Sequence, residues 1–230
     1  MTVTRMQRAG TPSGYRMVAA KDTATVYLYG PIGASWWDDS GISANQFRKD
    51  LDSMGASIRN IDIRINSEGG DVFDGQAIYT LLTAHKARKT VYIDALAASA
   101  ASFIAMAGDE IVISESAFVM IHNAHGACFG GAGEMRKTAD LLDMTNGAIQ
   151  SIYVSRTKQS AADLKKWMDD ETWMTAAEAV ERGFADRVVE NMKVAASVRD
   201  PSKFKHLPVA LRPNRLKAAA ALKQMSAVKR

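Results

Sequence analysis

The sequence predicts an α/β domain built on a largely parallel sheet. Three observations carry that reading: short β-branched runs recur along the chain, helically spaced apolar residues separate them, and glycines or capping residues mark the joins. At 230 residues, with 47% apolar and 23% charged residues, the chain can bury one full-sized core.

The elements follow in order. Residues 1–22 read as an irregular lead-in, with Gly10, Pro12 and Gly14 as breakers. Thr25 to Tyr29 reads as a strand stopped by Gly30 and Pro31. Ser43 is placed to cap a helix running to about Met54, with Phe47 and Leu51 four apart on one face. From Ile58, the residues Ile61, Ile63 and Ile65 alternate with Asp62 and Arg64, which is the period of a strand. Asn66 to Asp71 is a turn that leads into a helix ending near Lys86, and Val91 to Ile93 is the next strand. The small-residue stretch after it closes at Gly108, a suitable residue beyond a helix C-cap. Ile111 to Ile113 and Phe118 to Ile121 are two further strands, and a glycine-rich loop precedes a long helix over about 134–156. Thr175 and Glu178 form a capping-box pattern for a short helix that Gly183 ends, and Val188 and Val189 make the last strand.

The net charge of +4 is unevenly spread. Residues 193–230 hold ten Lys and Arg against one acid, Asp200, so this tail carries +9 and the overall +4 leaves −5 on residues 1–192. The tail is expected to be a solvated extension, with a possible contact to nucleic acid or an acidic protein. Prolines 201, 208 and 213 break it up, and an Ala-rich stretch, Leu216 to Val228, is at best a marginal helix. The longest apolar-leaning run, 95–107, contains Ser99 and Ser102 and falls short of the roughly 20 residues a bilayer span needs. The N-terminal residues are basic and polar rather than signal-like, and the single Cys128 excludes an internal disulfide. A cytoplasmic location without a membrane is the expectation, and no cofactor or metal is implied.

Three short segments carry residues suited to chemistry. Ala97 to Ser102 surrounds Ser99 with small residues, so the backbone passes closely beneath its hydroxyl. If a helix begins at Ser99, the first amides are free to meet an oxyanion, although small residues also serve tight helix packing. His122 ends an apolar strand, and His125 three residues on competes with it for the role of base. A serine needs such a base because its hydroxyl is weakly nucleophilic at its own pKa. The turn Asn66-Ser67-Glu68-Gly69-Gly70 allows positive φ and close backbone approach, but lacks the spacing and Lys of a P-loop.

Taken together and in order, these segments resemble the ClpP peptidase family. Ile65 to Asp71 is similar to that family's INSPGG turn, Ala97-Ala98-Ser99 with Phe103 and Ala107-Gly108 to its nucleophile segment, and Met120-Ile121-His122-Asn123 to its MIH motif. Thr175 to Ala179, with Gly183 and Asp186, resembles the closing helix and strand, and the likeness covers about residues 24–192. The domain limits this suggests are 23–192 for the peptidase domain and 193–230 for the tail.

The resemblance implies a ClpP/crotonase-like ββα superhelix and a serine peptidase with Ser99 as nucleophile and His122 as general base. The amides of Gly70 and Ala100 would form the oxyanion hole, where loss of one donor typically costs ~3 kcal/mol. The family has an Asp before its closing helix, whereas the matching position here is Glu171, with Asp170 in reserve and Asp169 behind it. Glu68 in place of the turn's proline, the stretches 70–75 and 171–175, and the basic tail look most like phage-type head maturation proteases, which act on capsid or scaffold protein without an unfoldase. The proteolytic subunit of an ATP-dependent Clp protease, a CoA-ester enzyme of the crotonase fold and a non-catalytic assembly protein stand as alternatives. The resemblance also implies a ring-shaped homo-oligomer, with the helix near 134–156 in the region of ring contacts.

Overall fold

The computed structural model describes residues 14–33, 41–55, 57–190, 198 and 201–211. An eight-stranded sheet runs β1 (Gly14–Ala20), β2 (Thr23–Tyr29), β3 (Asn60–Ser67), β4 (Arg88–Ala98), β5 (Glu110–Ser114) and β8 (Arg187–Val189), with β6 (Phe118–Ile121) on the far half of β4 and β7 (Thr172–Thr175) beside it. Every pairing is parallel except β1 with β2 and β6 with β7. The α/β class and the mostly parallel sheet expected from the sequence are therefore what the chain adopts.

The alternation in β3 does what its period requires: Ile61, Ile63 and Ile65 are fully buried while Asp62 and Arg64 face the other side. Helix α1 (Ala44–Ser53) starts at Ser43, whose hydroxyl accepts from the Gln46 amide at 3.3 Å, and buries Phe47 and Leu51. Helix α2 (Val72–Ala84) is capped by Asp71, which accepts from the Asp74 amide at 2.8 Å. Helices α3 (Ala100–Ala105) and α4 (Ala132–Thr157) follow, then α5 (Ala161–Asp169) and α6 (Ala176–Glu181), the last opened by the expected Thr175–Glu178 capping box. The opposite sheet face buries one charge, Asp94, which takes both Arg64 and the Tyr29 hydroxyl as donors.

Three expectations need correction. Residues 14–20, read as irregular, form β1, because Met17 faces the core and the whole run pairs with β2. Helix α5 and strand β7 were not foreseen; Leu164 and Met168 give α5 only one short buried stripe. The tail is not simply solvated over its described part. Val198, Phe204, Leu207 and Leu211 are buried against Leu96, Ala98 and Met120, with Phe118 and Trp173 alongside. The expected helix over Leu216 to Val228 lies outside the described residues.

β4 is the organising strand. Thr90–Ile93 pairs with β5 and Leu96–Ala98 pairs with β6, so a single strand delivers the chain from the core to the sheet's exposed end. Ser99 follows it directly.

Candidate active site

Strand register assembles this site. Ala98 lies opposite Met120, and the Ser99 amide donates to the Met120 carbonyl at 3.0 Å, which brings Ser99 beside the end of β6. There the Ser99 hydroxyl and His122 Nε2 are 2.8 Å apart. On the other flank, the β3–β4 register slips between Ile65 and Ser67, so that Ser67 faces Ala97. The slip carries the following turn up to Ser99: a Cβ on Gly69 would lie 2.7 Å from the Ser99 Cβ and 2.6 Å from the Ala98 carbonyl. Finally, Ile121 faces Thr172 across the antiparallel β6–β7 pair, so the next residues outward are His122 and Glu171.

Ser99 has φ 52° and ψ −124°, a conformation that an L-residue adopts only when its surroundings hold it. The strain sits at a sharp strand-to-helix turn, which exposes the hydroxyl above the end of β4. Ser102 helps hold the turn: its amide donates to the Ser99 carbonyl at 2.9 Å, and its hydroxyl reaches the same oxygen. The fully buried Tyr153 hydroxyl lies 2.7 Å from the Ser102 hydroxyl and backs it from α4.

The two candidate oxyanion donors lie on the segments next to Ser99, Gly70 in the turn after β3 and Ala100 at the start of α3. Gly70 (φ 148°) has no room for a side chain, since a Cβ would lie 2.1 Å from the Ile32 carbonyl oxygen. Among the described residues its amide is not used by the turn's backbone hydrogen bonds, and Ala100, as the first residue of α3, has no intrahelical acceptor. Ser67 keeps the turn closed, accepting from the Gly69 amide at 3.1 Å and donating to the Gly30 carbonyl.

Burial, followed by the electrostatic effect of the neighbouring His125, pulls the His122 pKa down to about 4; Glu171 pulls it up and Lys205 adds to the fall. At neutral pH the imidazole is therefore uncharged and able to accept a proton. His125 lies 5.4 Å away ring to ring, but it is His122 that meets the serine.

The three candidate acids separate clearly. Asp170 pairs with Lys166 in solvent, and Asp169 pairs with Lys165 while accepting from the Asn123 amide group at 2.8 Å. Glu171 alone is buried, and it alone acts electrostatically on His122. It occupies the left-handed region (φ 49°) just past the end of α5, where Gly or Asn is usual. Its carboxylate accepts from the backbone amides of Lys205 at 2.9 Å and His206 at 2.7 Å, and from the Trp173 indole at 3.3 Å. Burial pushes its pKa up, but these donors and His122 outweigh it and leave the pKa below the usual value. Among the described residues no hydrogen bond joins Glu171 to His122.

Sequence reasoning missed the two tail amides, the Trp173 indole and the Ser102–Tyr153 pair. Phe204 and Leu207 between prolines 201 and 208 were the available signal for a docked tail. Nothing in the sequence pointed to Tyr153 meeting Ser102.

Residues 43–192 match the model of the Clp protease family. The chain belongs to that family. Among its relatives, the "ATP-dependent Clp protease proteolytic subunit" of Chlorella vulgaris is 32% identical over 138 residues, covering 59% of this chain and 68% of the relative. The "ATP-dependent Clp protease proteolytic subunit 1" of Streptomyces avermitilis is 31% identical over 156 residues, covering 66% and 71%. Clp protease family members are serine peptidases that act on proteins. No described helix of this chain is long and apolar enough to cross a membrane.

Proposed function

We propose that this protein is a serine endopeptidase in which Ser99 attacks a peptide carbonyl and His122 accepts the hydroxyl proton. The Ser99–His122 contact of 2.8 Å on a strained turn is the observation that carries the reading. His122 then gives the proton to the leaving amine, which produces an acyl-enzyme on Ser99, and a water activated by the same imidazole releases the acid product. The amides of Gly70 and Ala100 hold the oxyanion, and Glu171 is the acid that steadies the imidazolium. A CoA-ester reaction on a related scaffold would need no such Ser–His pair.

The named relatives support a proteolytic subunit working with an ATP-driven unfoldase, and this is the better supported of two finer readings. The other, a head maturation protease cutting capsid or scaffold protein, draws on Glu68, on residues 171–175 and on the basic tail. A ring of copies is part of either reading, and α4 offers Met135, Leu141 and Met144 as exposed apolar contacts. Wild type and Ser99→Ala, treated with a fluorophosphonate and weighed intact, test the core of the proposal. Mass gain at Ser99 in wild type only is the expected result, and no gain in either would overturn it. Degradation of a folded substrate only with an added unfoldase and ATP would select the first finer reading.

A further inference from the structure

The tail meets the site at the acid. Phe204 packs edge-on against Trp173 with ring centroids 5.3 Å apart, and Phe204, Leu207 and Leu211 are buried on the patch formed by Leu96, Ala98 and Met120. Between those anchors, the amides of Lys205 and His206 take one oxygen each of the Glu171 carboxylate, and the Trp173 indole shares the second oxygen. These are charge-assisted bonds, stronger than neutral ones. His122, the residue after the Ile121–Thr172 pair, has Ser99 at Nε2 and donates no hydrogen bond to this acid. A glutamate carries one more methylene than an aspartate, which lengthens its reach toward the Lys205 and His206 amides.

We propose that residues 201–211 are an autoinhibitory strap, which holds the Glu171 carboxylate on its own amides and so keeps it off His122 until the strap is released. The inference rests on the Ser99–His122 reading above. The docked state disfavours proton uptake by His122 in two ways. The carboxylate is engaged elsewhere, and Lys205 of the strap joins His125 in acting against a charge on the imidazole. The titratable and charged groups acting on the imidazole are thus His125 from the loop after β6, Glu171 from the turn before β7 and Lys205 from the strap. The strap is built for release: over 201–211 it holds two single 3₁₀ turns, Pro201–Lys203 and Val209–Leu211, and pairs with no strand. A few apolar anchors hold it, which places it at the low-stability end of the molecule. Once free of the tail amides, the Glu171 carboxylate keeps the Trp173 indole as a donor and is available to His122, on which it already acts electrostatically.

Two full-length variants test this. Phe204→Ala with Leu207→Ala removes the anchors, and His206→Pro removes one amide donor while keeping them. Fluorophosphonate labelling of Ser99 is followed by intact mass across pH. Both variants are expected to label on the order of 10-fold faster than wild type at neutral pH, a fraction of what a well-placed base contributes. Their acid limb should also move up toward the ordinary histidine range. Labelling at Ser99 in wild type, with both variants equal or slower, overturns the strap and leaves the serine peptidase standing. No labelling at Ser99 in any of the proteins removes the peptidase reading and the strap with it.

Discussion

Gly69 offers the sharpest test of how the site is put together. Replacing it with alanine adds a Cβ that would lie 2.6 Å from the Ala98 carbonyl oxygen, 2.7 Å from the Ala100 nitrogen and 2.7 Å from the Ser99 Cβ. Two of these neighbours are backbone, so the strain cannot be relieved by turning a side chain. The φ of +86° adds about 1–2 kcal/mol for an L-residue, and forcing a methyl into a filled site adds about 1–3 kcal/mol. The sum, ~2–5 kcal/mol, corresponds to a fall in Tm of roughly 5–15 °C for a chain of this size. Gly126→Ala is the control, because nothing lies within 4 Å of its Cβ position. Differential scanning calorimetry gives the stability, and fluorophosphonate labelling reports whether Ser99 still meets His122. The expected result is a large loss of both in Gly69→Ala and of neither in Gly126→Ala. Equal melting temperatures and equal labelling in the two variants would refute the claim that the turn is wedged against the nucleophile.

Two other expectations follow from the same geometry. With the His122 pKa pulled down to about 4, the imidazole loses its ability to accept a proton only as pH falls through that value, so wild-type labelling at Ser99 should stay near its neutral rate to about pH 5 and halve near 4; an acid limb at 6–7 would contradict this environment for the base. Tyr153→Phe removes the hydroxyl that backs Ser102 and should cost about 1 kcal/mol by urea unfolding, with slower labelling because the Ser99 turn is less firmly held; unchanged stability and rate would show that Ser102 holds the turn alone.

Much of this protein is legible from local pattern. The period-two alternation of Ile61, Ile63 and Ile65, the caps at Ser43 and Thr175, and the order of the strands and helices all come from contacts within a few residues. For the same reason Ser99, His122 and the glycine turn could be picked out as chemically apt, since each stands in a short segment of characteristic residues. Their meeting could not be read that way. It depends on the slipped register between β3 and β4, on Ala98 facing Met120, and on Ile121 facing Thr172. Strand register is a long-range property, set by which faces become buried and not by the residues next in line. The tail shows the same limit. Its charge and prolines describe a solvated extension, yet Phe204 and Leu207 find an apolar patch that exists only once β4, β6 and β7 lie side by side. Local residue pattern marks which side chains are capable of the chemistry. Tertiary structure decided which of them face one another, and it placed the tail's amides, rather than the imidazole, on the carboxylate of Glu171.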